Sequence, residues 1–375
     1  MRLEDDDNII AVFDIGGTWF RWGLYDPSHG LIESWRVPAI NYLSRPDLTA
    51  EALQTALVDF IIRCVTEIRV QKHHGLGAVS VSLGAPINAH DMMVLGSGPL
   101  WGSTATPFDL YSSLHEKSPE THWHIINDVT ALLSPYMQDG GPHRKSMLIT
   151  VSSGVGSRLY DHRNSRIPYD ERFGVQGEVG HLTVSFELDN KMMHRYCECG
   201  GLNHMNAFSS GRGLCRTLLD LPSLMRSDSI LISDDAECWQ RADDNYRLQR
   251  FQRQLDKSNP LAIQILDATV MPLSRLLATA LCLDPEIDRV IITGGMAQGL
   301  GKHYRLALER TFLREGLYQI TQYDPDYLIR RLLWDADDGL SGLKGAGIHA
   351  MKVASRSIPE NSRGISYDEL RDIVN

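Results

Sequence analysis

"VFDIGGTWFRWGLYD" (residues 12–26) opens on an apolar run, stops at the carboxylate Asp14, and turns through Gly16, Gly17 and Thr18 before apolar and aromatic residues resume. Residues 9–14 and 19–26 read as two strands joined by that turn, a hairpin. A turn needs one glycine at most. Two in succession leave backbone N–H groups uncovered beside a strand-end acid. Phosphate oxygens want such convergent donors, which side chains would block.

The same grammar recurs downstream. "SMLITVSSGVGSRLY" (146–160) is again strand, small-residue turn and strand, with Ser152, Ser153, Gly154 and Gly156 at the turn. "RVIITGG" (289–295) is a buried strand ending on Gly294 and Gly295. One such turn is an ordinary connection; three in one chain point to a nucleotide. None fits G-x-G-x-x-G or G-x-x-x-x-G-K-[ST], so the phosphate grip belongs to another class. The echo between residues 9–26 and 146–160 hints at two related halves. Between them, 30–40 supplies a third strand, 49–70 a helix, and 75–87 a strand running into Gly84-Ala-Pro. These elements make a mixed sheet with a helix on it. A long helix is expected near 260–283 and a small-residue helix over 339–355. Residues 221–257 read as a charged, irregular insertion or helical excursion. No low-complexity linker separates the halves, so two domains sharing a cleft are expected.

The chain has 375 residues, 43% hydrophobic and 22% charged, long enough for two domains and a large core. Its formal net charge is −10 and its pI about 5.8. That balance argues against holding nucleic acid by bulk charge, which needs clustered Lys and Arg. No apolar stretch approaches the ~20 residues of a membrane span. The acidic start, "MRLEDDDNII", lacks the layout of a signal peptide, and a cytoplasmic location is expected. Four cysteines, Cys64, Cys215, Cys238 and Cys282, are scattered singly and are expected to be buried thiols.

Two passages carry candidate chemistry. "WHIINDVTALL" (123–133) ends a strand on Asn127-Asp128 and starts a helix. Either residue suits an N-cap, and a strand-end aspartate also suits a base that takes the proton of an attacking alcohol. "GVQGEVGHLTV" (174–184) places Glu178 and His181 among glycines, and "CECGGLNH" follows with Cys197, Cys199 and His204. Two thiolates and two imidazoles suit a tetrahedral structural zinc; free thiols and a surface histidine are the plainer alternative. A Cys197–Cys199 disulfide is disfavoured by geometry and compartment.

Together these passages resemble the ROK family of sugar kinases and repressors, within the actin-like ATPase superfamily. The resemblance spans residues 9–350 and rests on "DIGGTWFRWG", "GAPI", "IINDVTALL", "SSGVGSRL", "GEVGH", "CECGGLNHMNAFSSGRGL", "VIITGG" and "GLSGLKGAG". It implies an α/β fold of two actin-like (ribonuclease H-like) domains. Each is a mixed sheet flanked by helices, and the active site lies in an interdomain cleft. The expected division is 1–128 and 129–355, with a C-terminal helix within 356–375 returning to the first domain. The resemblance assigns Asp14, Gly16, Gly17 and Thr18 to the first phosphate loop, with Asp14 near Mg²⁺. Ser153, Gly154 and Gly156 match the second loop, and Gly294 and Gly295 the adenosine side. Asp128 matches the catalytic base. Gly84, Asn127, Glu178, His181 and Asn206 match the substrate side. His181, Cys197, Cys199 and His204 match the zinc ligands. ATP, Mg²⁺ and Zn²⁺ are thus the implied cofactors and a small sugar-like molecule the partner. Neither nucleic acid nor membrane is implied, and a homodimer is expected by analogy.

Departures from the family pattern bear on the acceptor. His204 stands where the family has its third cysteine. Asn206 stands where it has a sugar-binding glutamate, so an acceptor-only group becomes one that also donates. Ser97 and Gly98 replace the asparagine usual before Pro-Gly-Trp. Such changes alter specificity. They favour a modified hexose, an amino sugar or a C7 cyclitol phosphorylated on its primary hydroxyl. Glucokinase-like and N-acetylmannosamine-kinase-like activities are the alternatives among kinases. A non-catalytic sugar sensor is the alternative from another class, and Asp128 speaks against it. A repressor is expected to carry a helix-turn-helix before the first phosphate strand, where only eight residues stand.

Overall fold

Strand β1 (Ile9–Ile15) is apolar on both sides of the chain, and Ala11, Val12 and Phe13 are fully buried. Such a run needs a sheet covered on both faces. A computed structural model describes residues 9–72, 76–102, 106–138, 141–224, 244–335 and 338–354 and provides that sheet. Its order is β3-β2-β1-β4-β5, with β2 (Trp19–Asp26), β3 (Gly30–Pro38), β4 (Leu76–Leu83) and β5 (Trp123–Asn127). β1–β2 and β2–β3 are antiparallel; β1–β4 and β4–β5 are parallel. One face buries Phe13, Ile15, Val79 and Val81 against Leu53, Leu57 and Ile61 of helix α1 (Ala50–Lys72). Two shorter helices follow, α2 (Gly98–Trp101) and α3 (Leu110–Lys117); then α4 (Asp128–Met137) starts directly from β5.

The second sheet has the order β11-β10-β6-β7, built from β6 (Lys145–Val151), β7 (Val155–Asp161), β10 (Ile287–Thr293) and β11 (Leu332–Trp334). β6–β7 is an antiparallel hairpin, while β10–β6 and β10–β11 are parallel. The pairing β2-β1-β4-β5 is thus repeated as β7-β6-β10-β11. A small hairpin, β8 (Phe186–Leu188) with β9 (Lys191–Met193), precedes helices α5 (Asn206–Ser209), α6 (Gly211–Leu224), α7 (Asp244–Asp256), α8 (Pro260–Leu283), α9 (Gly295–Leu300) and α10 (Lys302–Glu315). α8 and α10 line this core with Ile265, Leu273, Leu277, Tyr304 and Leu308.

α8 corrects one expectation. Its 24 residues are apolar enough to cross a membrane by length and composition. Asp267 and Arg275 are its only charges, and ten of its residues are buried, so it serves here as a core helix. Within 221–257, the described part includes the helix α7, whose Phe251 and Leu255 are buried. Among the isolated cysteines, Cys64 and Cys215 are buried, Cys282 on α8 is exposed, and Cys238 lies outside the described residues.

The chain divides into two compact units. The first takes Met1–Gly141, Ile167–Gln176 and Asp338–Asn375; the second takes Pro142–Arg166 and Gly177–Asp337. α4 therefore belongs with the first sheet, past the boundary expected at 128. The helix that rejoins that sheet is α11 (Ser341–Ala354), earlier than the 356–375 segment expected to return, which lies outside the described residues. The reason is steric fit. Leu343, Ala346 and Ala350 of α11 pack on Ile10, Val12 and Tyr25. A Cβ on Gly345 would lie 1.8 Å from the Ala131 carbonyl oxygen, and one on Gly347 2.3 Å from the Tyr25 ring. Only a small-residue helix can lie that close.

Candidate active site

In the first unit, the candidate residues gather at the carboxyl ends of the parallel strands β1, β4 and β5, where ligands bind in open α/β sheets. Asp14 sits one residue before the end of β1. The hairpin register places Arg21 opposite it, and Arg21 Nη1 donates to Asp14 Oδ2 at 3.0 Å. Arg21 belongs to no motif of its own, although counting outward from the hairpin turn gives the pair. The other close neighbour is α11: a Cβ on Gly342 would lie 2.6 Å from Asp14 Cγ. The start of that helix therefore rests on the carboxylate, where its dipole favours negative charge.

The two turn glycines have different reasons. A Cβ on Gly17 would strike Pro99 of α2 at 2.7 Å, so that glycine is required by packing. A Cβ on Gly16 would meet nothing nearer than the Trp19 carbonyl oxygen at 3.7 Å. Gly16 therefore has no steric need to be glycine within the fold, and its bare backbone is open to a ligand. The tip is braced by Asn41 Nδ2, which donates to the Gly17 carbonyl at 2.7 Å, and by Ala39 N–H, which donates to the Thr18 carbonyl at 3.0 Å.

Asp128 opens α4. Asn127 is the N-cap, its Oδ1 accepting from the Val129 and Thr130 amides while its Nδ2 donates to the Ala85 carbonyl at 2.8 Å. The capping role weighed for this pair thus falls to Asn127, and its side chain is buried. Asp128 is half-buried, with Oδ1 accepting from Val129 N–H at 2.9 Å. A Cβ on Gly84 would lie 3.5 Å from Asp128 Oδ2 and 3.9 Å from Gly16 Cα. Gly84 thus leaves space between the candidate base and the first phosphate turn. Ser97, a departure from the family pattern, holds that segment by donating from Oγ to the Gly84 carbonyl at 2.8 Å.

The second unit mirrors this arrangement at the ends of β6 and β10. Gly294, at φ +100°, lies so close to Val151 that a Cβ would fall 2.5 Å from its carbonyl oxygen. Gly211 N–H, at the start of α6, donates to the Ser152 carbonyl at 2.7 Å. The Ser152–Gly154 turn, Gly294 and Gly295 at the head of α9, and the head of α6 therefore lie together. Ser153 and Gly154 are half-buried and Gly295 is exposed, which leaves the donors accessible.

Glu178 caps the short turn Val179–His181 and is half-buried. Burial holds its carboxyl above the usual carboxylate range, partly opposed by the Arg158 guanidinium. The segment Gly177–Gly180 lies flat on β7. A Cβ on Gly177 would fall 1.9 Å from the Ser157 carbonyl oxygen, and one on Gly180 2.2 Å from that of Val155.

His181, Cys197, Cys199 and His204 come together, one ligand atom from each lying within 4.8 Å of the others. Cys199 Sγ is 3.2 Å from both His181 Nδ1 and His204 Nδ1. Donor atoms around a tetrahedral zinc lie about 3.4–3.8 Å apart at ordinary Zn–N and Zn–S lengths, so the set fits such an ion. Gly201 makes room for it: a Cβ there would fall 2.0 Å from His204 Cε1. Burial pushes the Cys197 thiol up to about 11, so a bound cation is what would hold it as thiolate. Asn206, at the start of α5, points its Oδ1 at Val155 N–H, which donates at 2.7 Å.

Residues 10–312 match the ROK family. A 2-epi-5-epi-valiolone 7-kinase of an Actinoplanes species is 34% identical over 365 residues, covering 95% of this chain and 96% of that protein. A C(7)-cyclitol 7-kinase of Streptomyces hygroscopicus subsp. jinggangensis is 26% identical over 332 residues, covering 84% and 86% respectively. Among solved structures, a ROK family glucokinase from Streptomyces griseus, in complex with glucose and AMPPNP, superposes with a TM-score of 0.66. It is 20% identical and covers 92% of this chain and all of its own.

Proposed function

Because the chain belongs to the ROK family, we propose that it is an ATP-dependent kinase that phosphorylates the primary hydroxyl of a sugar-like C7 cyclitol. The observation that carries this reading is the 34% identity to the 2-epi-5-epi-valiolone 7-kinase across nearly the whole of both chains. The second cyclitol kinase supports it independently of length, since it too aligns over most of this chain. Phosphorylation of a hexose is the second reading, favoured by the fold shared with the glucokinase.

The chemistry follows from the residues. A primary alcohol is a weak nucleophile, and its proton must leave as the P–O bond forms. Asp128 takes that proton, an effect worth about 10²–10⁴-fold. Its Oδ1 is fixed by Val129 N–H, and Oδ2 faces the space left by Gly84. Glu178 holds an acceptor hydroxyl, while Asn127, its side chain engaged as the α4 cap and on the Ala85 carbonyl, fixes the start of α4. The half-burial of Glu178 strengthens each hydrogen bond it accepts. The candidate phosphate-binding donors are Gly16, Gly17 and Thr18 in the first unit and Ser153, Gly154 and Gly156 in the second, where Gly294 and Gly295 are the candidates for the adenosine. Asp14 is a hard oxygen ligand at an open strand end and suits Mg²⁺, which when bound neutralises charge on the phosphates. Arg21 keeps that carboxylate in one orientation. The His181, Cys197, Cys199 and His204 set suits a structural Zn²⁺ that ties the Glu178 segment to the loop before α5.

The test is ADP release with ATP, Mg²⁺ and a panel of C7 cyclitols, amino sugars and hexoses. The account expects a C7 cyclitol to give the highest kcat/KM. Faster turnover of glucose than of every cyclitol would favour the hexose reading. Acceptor binding without ADP release would favour the sensor.

A further inference from the structure

The residue at 206 matches a family position that contacts the sugar, yet its side chain is engaged elsewhere. Asn206 Oδ1 accepts from Val155 N–H at 2.7 Å. A Cβ on Gly180 would lie 2.3 Å from that same oxygen, and a Cβ on Gly154 3.5 Å from it. Because a backbone N–H must donate to oxygen, the orientation of the amide is fixed.

Both limbs of the His/Cys cluster end at this point. His181 follows Gly180 directly, and His204 precedes Asn206 by two residues. The limbs are also joined by Met205 N–H to the Leu182 carbonyl at 2.9 Å and Val184 N–H to the Asn203 carbonyl at 2.8 Å. Gly180 lies against the Val155 carbonyl oxygen while Asn206 takes the Val155 N–H. Val155 is the first residue of β7 and directly follows the Ser152–Gly154 turn. The cluster thus grips the second glycine hairpin from both backbone groups of one residue.

We propose that Asn206 is a positioning residue that couples the His181, Cys197, Cys199 and His204 cluster to the second phosphate turn through Val155, and so serves nucleotide binding rather than acceptor recognition. The assignment of the turn to the nucleotide rests on the kinase reading above; the grip on Val155 does not. The substitution of asparagine for glutamate then has a physical basis. A neutral amide can accept from Val155 N–H without placing a negative charge beside a turn that holds phosphates.

Two variants of nearly equal size separate the hydrogen bond from the shape. Asn206→Leu removes the acceptor, and Asn206→Asp keeps it. Amide hydrogen exchange over residues 150–158 is read first, in protein without nucleotide. Asn206→Leu should speed exchange at Val155 about five- to tenfold, and Asn206→Asp should stay within about twofold of the parent. The second readout is affinity for a non-hydrolysable ATP analogue, expected to weaken about five- to tenfold in Asn206→Leu, with the acceptor KM changed less than twofold. Unchanged exchange in the leucine variant would overturn the coupling. A raised acceptor KM with unchanged nucleotide affinity would return Asn206 to the acceptor side. If the parent chain releases no ADP with any acceptor, the kinase reading fails, and the exchange comparison still decides the grip on Val155.

Discussion

The two units repeat one four-strand pattern but brace their glycine-turn edges by different means. In the first, a helix lies on the sheet so closely that Gly342, Gly345 and Gly347 must lack side chains, and its start rests on Asp14. In the second, four His and Cys side chains gather within 4.8 Å and reach the glycine turn through Val155. The first hairpin tip carries a carboxylate with its own arginine; the second is neutral, with Ser152 and Ser153 in its turn. On the proposed function, one pattern would support two tasks: acid–base and metal chemistry in the first unit, neutral phosphate cradling in the second. Packing braces the one; on the proposed reading, a Zn²⁺ ion held by the four His and Cys side chains would brace the other.

That contrast can be broken most severely at Asp128. Asp128→Asn should lower kcat by about 10²–10⁴-fold while acceptor affinity, measured by calorimetry, changes little. A near-parental kcat would remove the acid–base task from the first unit. Next in size, a strong chelator should destabilise the second unit and leave the first standing. The loss is about 4 kcal/mol where free metal had been a thousandfold above its dissociation constant. Limited proteolysis during chelation, followed by mass mapping, tells which unit opens. Cleavage confined to the first unit would reverse the assignment of braces.

Acid should act in the opposite sense. Burial, with lesser contributions from His124 and Lys352, pushes the His349 imidazole on α11 down to about 4. Its protonated form is disfavoured in the fold relative to the unfolded chain. The resulting stability is present above about pH 6.5 and is lost as pH falls toward 4, by at most about 3 kcal/mol. Denaturant melts across that window should show this loss in the first unit, and His349→Gln should shrink it. Smaller still, Gly342→Ala brings a methyl group against Asp14 and should cost about 1–3 kcal/mol of stability, with a higher Mg²⁺ requirement for turnover. The least change is expected from Arg21→Met. Loss of a partly exposed charged hydrogen bond should cost about 1 kcal/mol, read as a rise in the Mg²⁺ concentration for half-maximal rate.

Local chemistry was legible in the sequence; long-range contact was not. The strand-turn-strand at 9–26 declares itself through an apolar run cut by Asp14 and two glycines, and the structure places the turn there. The cluster of His181, Cys197, Cys199 and His204 was equally readable, because metal-ligating residue types are rare and here lie close in the chain. What Gly17 is for was not readable. It makes room for Pro99, a contact that no local pattern encodes. The fit of Gly342 to Asp14 joins residues more than 300 positions apart, although the run of glycines in 339–355 signalled that something must approach closely. The helical alternative for 221–257 holds at α7, but its place in the core was not legible, because Phe251 and Leu255 form a narrow buried stripe on an otherwise polar helix. The division after 141 and the return of 167–176 to the first unit follow from packing alone and carry no compositional mark.

The central claim is that the chain moves a phosphoryl group from ATP to a primary alcohol on a cyclitol ring. Nuclear magnetic resonance of the product formed from 2-epi-5-epi-valiolone, ATP and Mg²⁺ tests it most directly. The account predicts phosphorus coupled to the exocyclic methylene at carbon 7. Phosphorus coupled to a ring carbon, or unaltered cyclitol beside intact ATP, would contradict it.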